Sequence, residues 1–469
     1  MTKKRGPETR AGGAETGILA GEVADSSSAG ATARGAASQL MELFLHVCAA
    51  LGAEDARDVA AIADVSPENV ANWRSGAVRE FKPQKLEAAK RGLELRIRAL
   101  RARARESHGR VGGLAPLEIE SGSGPADLQR QFRDSVPYDY LGHRFLYFDA
   151  QGALAWERVL STGYDQDAWL QGLSSAATAW LDPSTRPPGP LAGALGLDRR
   201  TRPRGLDVVS LGPGEGTKET LVLQAVRAAC ESSGITLPWL AYAPVDVSIP
   251  LLLRASAAPR ARDEGRPPLD VLAFCADFEE GPLEFASRLP TTTESDGLRL
   301  VLMLGNVFGN LRSEEQFVRR KLFTLVRPGD LVWLEVGLRP ERIADDPLFR
   351  ATEPDREETS AETMRRLLLE GPYRRWEAAS GRPPSTIEMR ITLREDDDSA
   401  RVPGSCNFCH DIVIREERRA VTMLYSRRYA LEGLSAWCER LGLRVERMTR
   451  VSDGRGIPRV AHLLLRRVA

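Results

Sequence analysis

Residues 207–226 read DVVSLGPGEGTKETLVLQAV. An apolar run ending at Leu211 breaks into Gly212, Gly214 and Gly216, and a helical pattern then resumes through Leu221, Leu223, Val226 and Ala229. A strand, a glycine turn and a helix in that order confine the chain to an α/β architecture. In it, backbone N–H groups at the helix N-terminus face a ligand. The alternation continues downstream through the strand-like runs LAYAPVD, VLAFCAD, LRLVLML and DLVWLEV, each separated from the next by helical sequence, which predicts a parallel sheet. After residue 380 the style changes: TIEMRITL, DIVIRE, AVTMLYS and RVERMTRV read as antiparallel strands.

At 469 residues the chain exceeds one typical domain, and its 42% apolar and 28% charged content suits globular, core-forming protein. Net charge is zero, so attraction to nucleic acid or membrane has to be local. No run approaches the ~20 apolar residues of a membrane span. The start, MTKKRGPETRAGG, is basic without a following apolar stretch, so no signal peptide is expected; reduced cysteines and a cytoplasmic location follow from that reading. Composition divides the chain into a tail (1–38), a helical module (39–105), a Gly/Pro/Ser linker (106–135) and an α/β unit (136–469). Within the last, a core is expected at about 195–340, with a second, mixed α+β lobe built from about 138–194 and 341–469.

The spacing of the glycines selects among nucleotide loops. A dinucleotide fingerprint wants its third glycine one residue later, and a phosphate loop wants Ser or Thr where Glu219 follows Lys218. G-x-G-x-G after a first strand resembles the loop of class I S-adenosylmethionine (SAM) methyltransferases. That reading calls for an acidic residue after the second strand, to hold ribose hydroxyls, and a polar one after the third, near adenine. Asp246 and the pair Asp277–Phe278 occupy those places. Taken singly, either Asp reads more readily as a helix N-cap; the glycine loop and both Asp residues at strand ends together reverse that.

The resemblance narrows further. GPGEGTKET, YAPVDVS, ADFEEG, LGNVFGNL and RPGDLVWLEVGL, in that order, together with FLYFDAQGALAWERVL upstream and TIEMRITL downstream, resemble the histidine-specific SAM-dependent methyltransferase family over about 138–469. The resemblance implies a class I, Rossmann-like sheet with a mixed α+β substrate domain, SAM as cofactor, and cofactor contacts from Gly212, Gly214, Gly216, Lys218, Asp246, Asp277 and Phe278. It implies that Asn310 holds the amino and carboxylate end of the acceptor, that Tyr164 is a second acceptor contact, and that Ser426 reads the acceptor side chain. Apart from the resemblance, Asn310 also reads as a loop Asn in left-handed conformation after Gly309, and Tyr164 as a half-buried surface residue.

Two positions depart from the family pattern. Leu424 stands where a glutamate grips an imidazole, and an apolar side chain leaves an imidazole N–H unpaired at ~1–3 kcal/mol. Ser210 stands where an acidic residue ends the first strand. The expected function is therefore a SAM-dependent N-methyltransferase acting on the amine of an amino acid or related small molecule other than histidine. The alternative is a transcription regulator that uses a degenerate methyltransferase fold to sense SAM or a metabolite. A base-modifying DNA methyltransferase ranks last, because the Pro pairs read RPPG, RPPL and RPPS without its usual motif.

Two further features stand outside the methyltransferase reading. DVAAIADVSPENVANWRSG (58–76) resembles a repressor-type helix-turn-helix, with Val70 and Trp73 inward and Glu68, Asn69, Asn72 and Arg74 outward. DNA contact through Asn69, Asn72 and Arg74, a protein contact, and a structural extension all remain open readings. Cys406, Cys409 and His410 spell C-x-x-C-H, half of a zinc site; without matching ligands elsewhere, no metal is expected, and the string reads as a loop between two strands.

Overall fold

Every residue of Gly205–Leu211 is buried, which only a strand covered on both faces can satisfy. The computed structural model describes residues 44–45, 47–48, 53, 55–75, 77–78, 84–85, 88–93, 116–135, 140–161, 166–260, 268–293, 296–350, 360–379, 381, 383–394 and 402–468. Its strands are β1 (Leu117–Ile119), β2 (Gly205–Leu211), β3 (Leu240–Asp246), β4 (Leu269–Val271), β5 (Ala273–Cys275), β6 (Gly297–Met303), β7 (Leu331–Gly337), β8 (Ile387–Arg394), β9 (Cys406–Ile414), β10 (Arg419–Arg428), β11 (Leu443–Ser452) and β12 (Pro458–Arg467). The main sheet runs β1-β5-β3-β2-β6-β7-β12-β11, with β4 beside β3. It is parallel from β1 to β7, and β12 and β11 close it antiparallel. This order is the Rossmann-like sheet that the resemblance to class I SAM methyltransferases implies.

Alternating residues of the strands feed two cores. Val209, Leu211, Val245 and Val301 face Phe308, Phe317 and Trp437 on one side. Leu206, Val208, Tyr242 and Leu300 face Leu173, Ala177, Val222 and Val226 on the other, where the helices Gln166–Leu181 and Thr217–Ser233 pack together. The second sheet, β10-β9-β8, is antiparallel and forms a third core with Leu128, Phe132, Phe145, Leu369 and Trp376.

Four expectations change. The proposed linker 106–135 contains, in its described part, β1 and the helix Pro125–Ser135; Leu128 and Phe132 are buried in the third core. The helix was hidden by its strongly polar outer face, and β1 by having three residues. The run VLAFCAD is two strands, broken at Leu272, whose N–H bonds to Tyr242. RVERMTRV belongs to the main sheet as β11, so the second lobe does not extend to the C-terminus. The C-x-x-C-H string is no loop: Cys406–His410 is the first half of β9, fully buried between β8 and β10. Its apolar neighbours Phe408 and Ile412 supply a strand pattern that the cysteine motif masked.

In the N-terminal region, the helices Ala56–Ala63 and Pro67–Arg74 meet at Asp64, which has φ 54° and ψ 54°. Val59, Ala63, Val70 and Trp73 are buried between them. The Asn69 amide donates to the Ser66 hydroxyl at 3.1 Å, so it is engaged within its own helix start. Among the described residues, no helix is long and apolar enough to cross a membrane.

Below the glycine turn, the Ser210 hydroxyl donates to Glu219 Oε1 at 2.8 Å. Burial lifts the Glu219 carboxyl to about 7, against the bonds it accepts from its own backbone and from Ser210. An unfolded chain releases that proton near 4.5, so wild-type stability falls as pH rises from there to about 7, by on the order of 3 kcal/mol. Glu219→Gln cannot ionise. Thermal unfolding should therefore find a larger advantage of Glu219→Gln over wild type at pH 8 than at pH 4; an equal difference at both pH values would contradict this.

Candidate active site

The carboxyl ends of β2, β3, β5 and β6 meet in one place, where an open parallel sheet binds ligands. After β2, Gly212, Gly214 and Gly216 adopt φ values of +67°, +59° and +82°. L side chains avoid that region, and space forbids them as well. A Cβ on Gly216 would stand 2.7 Å from the Ala255 backbone, and one on Gly212 3.2 Å from Val307. The turn thus leaves a backbone-walled cradle at the start of the helix Thr217–Ser233. Trp156, from the helix Ala150–Ser161, lies over Gly214: its indole nitrogen is 3.5 Å from where a Cβ would sit.

Asp246 ends β3 and is 8% exposed. Its Oδ1 accepts the Ser248 N–H at 2.9 Å, at the start of the helix Ile249–Ala257, so it serves the local turn as well. Burial raises its pKa to about 6, opposed by the Ser248 N–H and the charge of His143. Asp277 follows β5: Oδ1 accepts the N–H groups of Glu279 and Glu280, and Oδ2 takes Arg144 at 2.5 Å. Phe278 reaches back to the glycine turn, 3.7 Å from the Cβ position of Gly212. Lys218 is not free: its ammonium pairs with buried Glu335 on β7 at 2.5 Å, beneath Gly305. The cradle a Cβ would fill and the two strand-end carboxylates fit a cofactor with an uncharged adenosine and no phosphates.

The loop after β6 brings in the other expected residues. Asn306 takes the left-handed conformation, φ 64°, and its Oδ1 accepts the Gly337 N–H at 2.9 Å. Asn310, at the end of the short helix Val307–Asn310, is half-buried, with Asn306 Nδ2 3.4 Å from its Oδ1. The reading of Asn310 as the left-handed loop residue therefore falls to Asn306 instead. Strand β10 lies beside this loop and is fastened to it. Fully buried Arg427 pairs with Glu314 and donates to the carbonyls of Leu311 and Arg312, while the Tyr429 hydroxyl donates to Glu314 at 2.9 Å. Leu424 and Ser426 share one face of β10, opposite His410 and Phe408; Tyr425 and Arg427 occupy the other. Leu424 is 8% exposed in an apolar cluster, and Ser426 is half-buried. Tyr164 lies outside the described residues.

Sequence reasoning missed three side chains at this edge. Residues 140–147 cross it as a strap: Leu141 N–H bonds to the Thr422 carbonyl at 2.9 Å, and Tyr140 stacks on Tyr425 with centroids 5.3 Å apart. From the strap, Arg144 binds Asp277 and Glu280, and His143 Nδ1 lies 3.1 Å from Glu279 Oε2. None of the three belongs to a spacing motif; Trp156 lies within the run FLYFDAQGALAWERVL, and His143 and Arg144 just before it.

Among curated proteins, no sequence matches the chain. Of solved structures, 1,6-didemethyltoxoflavin-N1-methyltransferase of Burkholderia thailandensis, with 1,6-didemethyltoxoflavin and S-adenosylhomocysteine bound, is 12% identical, with 68% of this chain and 89% of that one covered and a TM-score of 0.32. Magnesium protoporphyrin IX methyltransferase of Synechocystis PCC 6803, with S-adenosylhomocysteine, is 14% identical over 68% and 96%, at 0.31. The glycopeptide N-methyltransferase MtfA, also with S-adenosylhomocysteine, is 14% identical over 58% and 85%, at 0.27. Residues 196–339 match the sequence model of the family described as histidine-specific methyltransferase, SAM-dependent. The segment that carries the glycine cradle, Asp246, Asp277 and Asn310 thus matches the histidine-specific, SAM-dependent methyltransferase family model, and the cofactor it is matched with is SAM.

Proposed function

We propose that the chain methylates the amine of an amino acid or related small molecule other than histidine. The observation that carries this reading is the meeting, at one sheet edge, of the glycine cradle and strand-end carboxylates with Asn310 and the face of β10 that bears Leu424 and Ser426.

SAM supplies an electrophilic methyl group on a sulfonium. The protein's contribution is placement: the attacking nitrogen has to stand in line with that group at near-attack distance. Gly212, Gly214 and Gly216 hold the cofactor's backbone-facing side, Asp246 its ribose hydroxyls, and Asp277 with Phe278 its adenine. Lys218, paired with Glu335, fixes the floor of the cradle through its charge pair. Asn310 orients the acceptor by accepting an N–H from its amine. An ammonium has no lone pair, and burial at this edge favours the neutral amine. Tyr164 is carried in the same proposal as a second acceptor contact.

Leu424 decides against histidine. It packs with Met423, Ile412 and Val421, and an imidazole N–H placed against it finds no acceptor from that side chain. Ser426 is left as the polar group beside it for an acceptor whose side chain is mainly apolar.

Incubation with methyl-deuterated SAM and a panel of amino acids and amines, read by mass spectrometry, tests the reading. Wild type should label an amine other than histidine, and Asp246→Ala and Asn310→Ala should each lose at least ~100-fold of that activity. Histidine labelled as well as any other acceptor, or no label despite SAM binding, would contradict it. The helices Ala56–Ala63 and Pro67–Arg74 are proposed separately to contact DNA through Asn69, Asn72 and Arg74. Duplex binding by the full chain that weakens steeply with salt would support DNA, and its absence a protein contact or a structural role.

A further inference from the structure

At the amino ends of the parallel strands, the far end of the sheet from the glycine cradle, three arginines line a cavity of about 460 Å³ that opens to solvent. Arg202 and Arg204 come from the segment leading into β2, and Arg466 from the end of β12, where it stands opposite Leu331 at the start of β7. The remainder of the lining includes the rings of Pro187, Pro188 and Pro190, at the start of the helix Pro190–Leu195. A strand of seven residues separates this cavity from the cofactor edge by roughly 20 Å, so it is no part of the site described above.

The carboxylates at this end are already engaged. Glu446 Oε1 accepts from Arg466 at 2.8 Å and from Arg444 at 2.6 Å. Asp330 pairs with Arg327 at 3.0 Å and accepts the Arg299 N–H. Asp296 pairs with Arg202 at 3.1 Å, where both side chains are exposed. Arg204 is left with carbonyls: it donates to Gly297 at 2.6 Å and to Asp296 at 3.4 Å, and among the described residues no carboxylate lies within ion-pair distance of it. Its Nη1 hydrogens have no acceptor there either, although a guanidinium cannot shed its charge. Arg204 is half-buried, so water screens that charge only in part. Burial lowers its affinity for a proton; Asp330 opposes this, and the charges of Arg327 and Arg466 add to it.

We propose that this cavity binds a small organic phosphate, with Arg202, Arg204 and Arg466 on the anionic group and Pro187, Pro188 and Pro190 against the apolar body. Guanidinium forks match phosphate oxygens in pairs, and the resulting charge-assisted bonds are stronger than those to neutral acceptors. A phosphate supplies the counter-charge that Arg204 lacks and offsets the repulsion between Arg204 and Arg466. The proline rings have no N–H to offer an anion, so they suit the uncharged part of the ligand. Their backbone is set in advance: the Gly189 N–H bonds to the Asp182 carbonyl at 2.9 Å, and a Cβ on Gly189 would stand 2.4 Å from the Trp180 carbonyl oxygen. The volume is that of a site for a small organic molecule rather than for a bare ion. Nothing in this proposal depends on the methyl-transfer reading.

Calorimetric titration of the full chain with phenyl phosphate and with inorganic phosphate tests this, in S-adenosylhomocysteine at a concentration that fills the cofactor edge. Wild type should bind phenyl phosphate with a Kd below ~1 mM. It should bind inorganic phosphate about tenfold more weakly, for want of apolar surface to bury. Arg204→Gln should weaken phenyl phosphate about tenfold, and Arg202→Gln about threefold. Arg415→Gln, which removes an exposed arginine just after β9, should bind as wild type does. No binding of phenyl phosphate at concentrations up to ~10 mM would overturn the proposal. Equal affinity in wild type, Arg204→Gln and Arg202→Gln would overturn it too, and so would the same loss in Arg415→Gln, which would mark a response to net charge. Inorganic phosphate bound as tightly as phenyl phosphate would overturn the organic ligand. Should Arg204→Gln not fold, Arg202→Gln decides alone, since its exposed side chain packs against nothing the fold requires.

Discussion

Three successive left-handed glycines at the end of one buried strand are the constraint on which the rest of the site depends. β2 runs through the middle of the main sheet, so its carboxyl end can turn only between the helices that cover the two faces. Gly216 passes so near the Ala255 backbone that no side chain fits, and Gly212 passes Val307 almost as closely. That closeness fixes the start of the helix Thr217–Ser233 relative to β3 and to the loop after β6. It also leaves the backbone itself, not side chains, as the wall of the cradle. Ser210 and Glu219 fill the space beneath with a hydrogen bond between two buried groups, which keeps the first helical turn against the strand.

The second constraint is charge. Parallel strands end in acidic residues at this edge, and Asp246, Asp277 and Glu279 would repel one another without nearby cations. Basic side chains arrive from elsewhere in the chain: Arg144 and His143 more than 100 residues upstream of Asp277, as the separations of 133 for Arg144–Asp277 and 136 for Arg144–Glu280 show. The strap that carries them is tied in turn to β10 through Leu141 and Tyr140. Carboxylates proposed for the cofactor are thereby joined to the strand proposed for the acceptor. Arg427, buried against Glu314 and two carbonyls, makes the other tie. Removing one partner of so buried a pair commonly costs 3–5 kcal/mol, which explains why two charges are retained in an otherwise apolar seam.

How much of this the sequence discloses depends on the range of the interaction. The glycine loop and the strands on either side were legible because their signals are local: a positive-φ turn and runs of buried apolar residues. Asp246 and Asp277 were legible by their place at strand ends. β1 was not, since three residues carry no periodicity, and the helix Pro125–Ser135 was read as linker because Gly122 and Gly124 precede it and Pro125 opens it. The cysteine string drew attention away from the first half of β9, whose strand pattern, carried by Phe408 and Ile412, it masked. His143 and Arg144 escaped because nothing in a sequence announces an ion pair with residues 133 positions away. Lys218 shows the converse: its position beside the loop was legible, its pairing with Glu335 on β7 was not.

The most direct test of the account is a crystal structure of the full chain with S-adenosylhomocysteine. The ribose hydroxyls should lie within about 2.8 Å of the Asp246 carboxylate, with the adenine between Asp277 and Phe278 and the sulfur turned toward Asn310 and β10. A ligand bound at this edge with its ribose away from Asp246, or one bound elsewhere on the sheet, would contradict the assignment of the site.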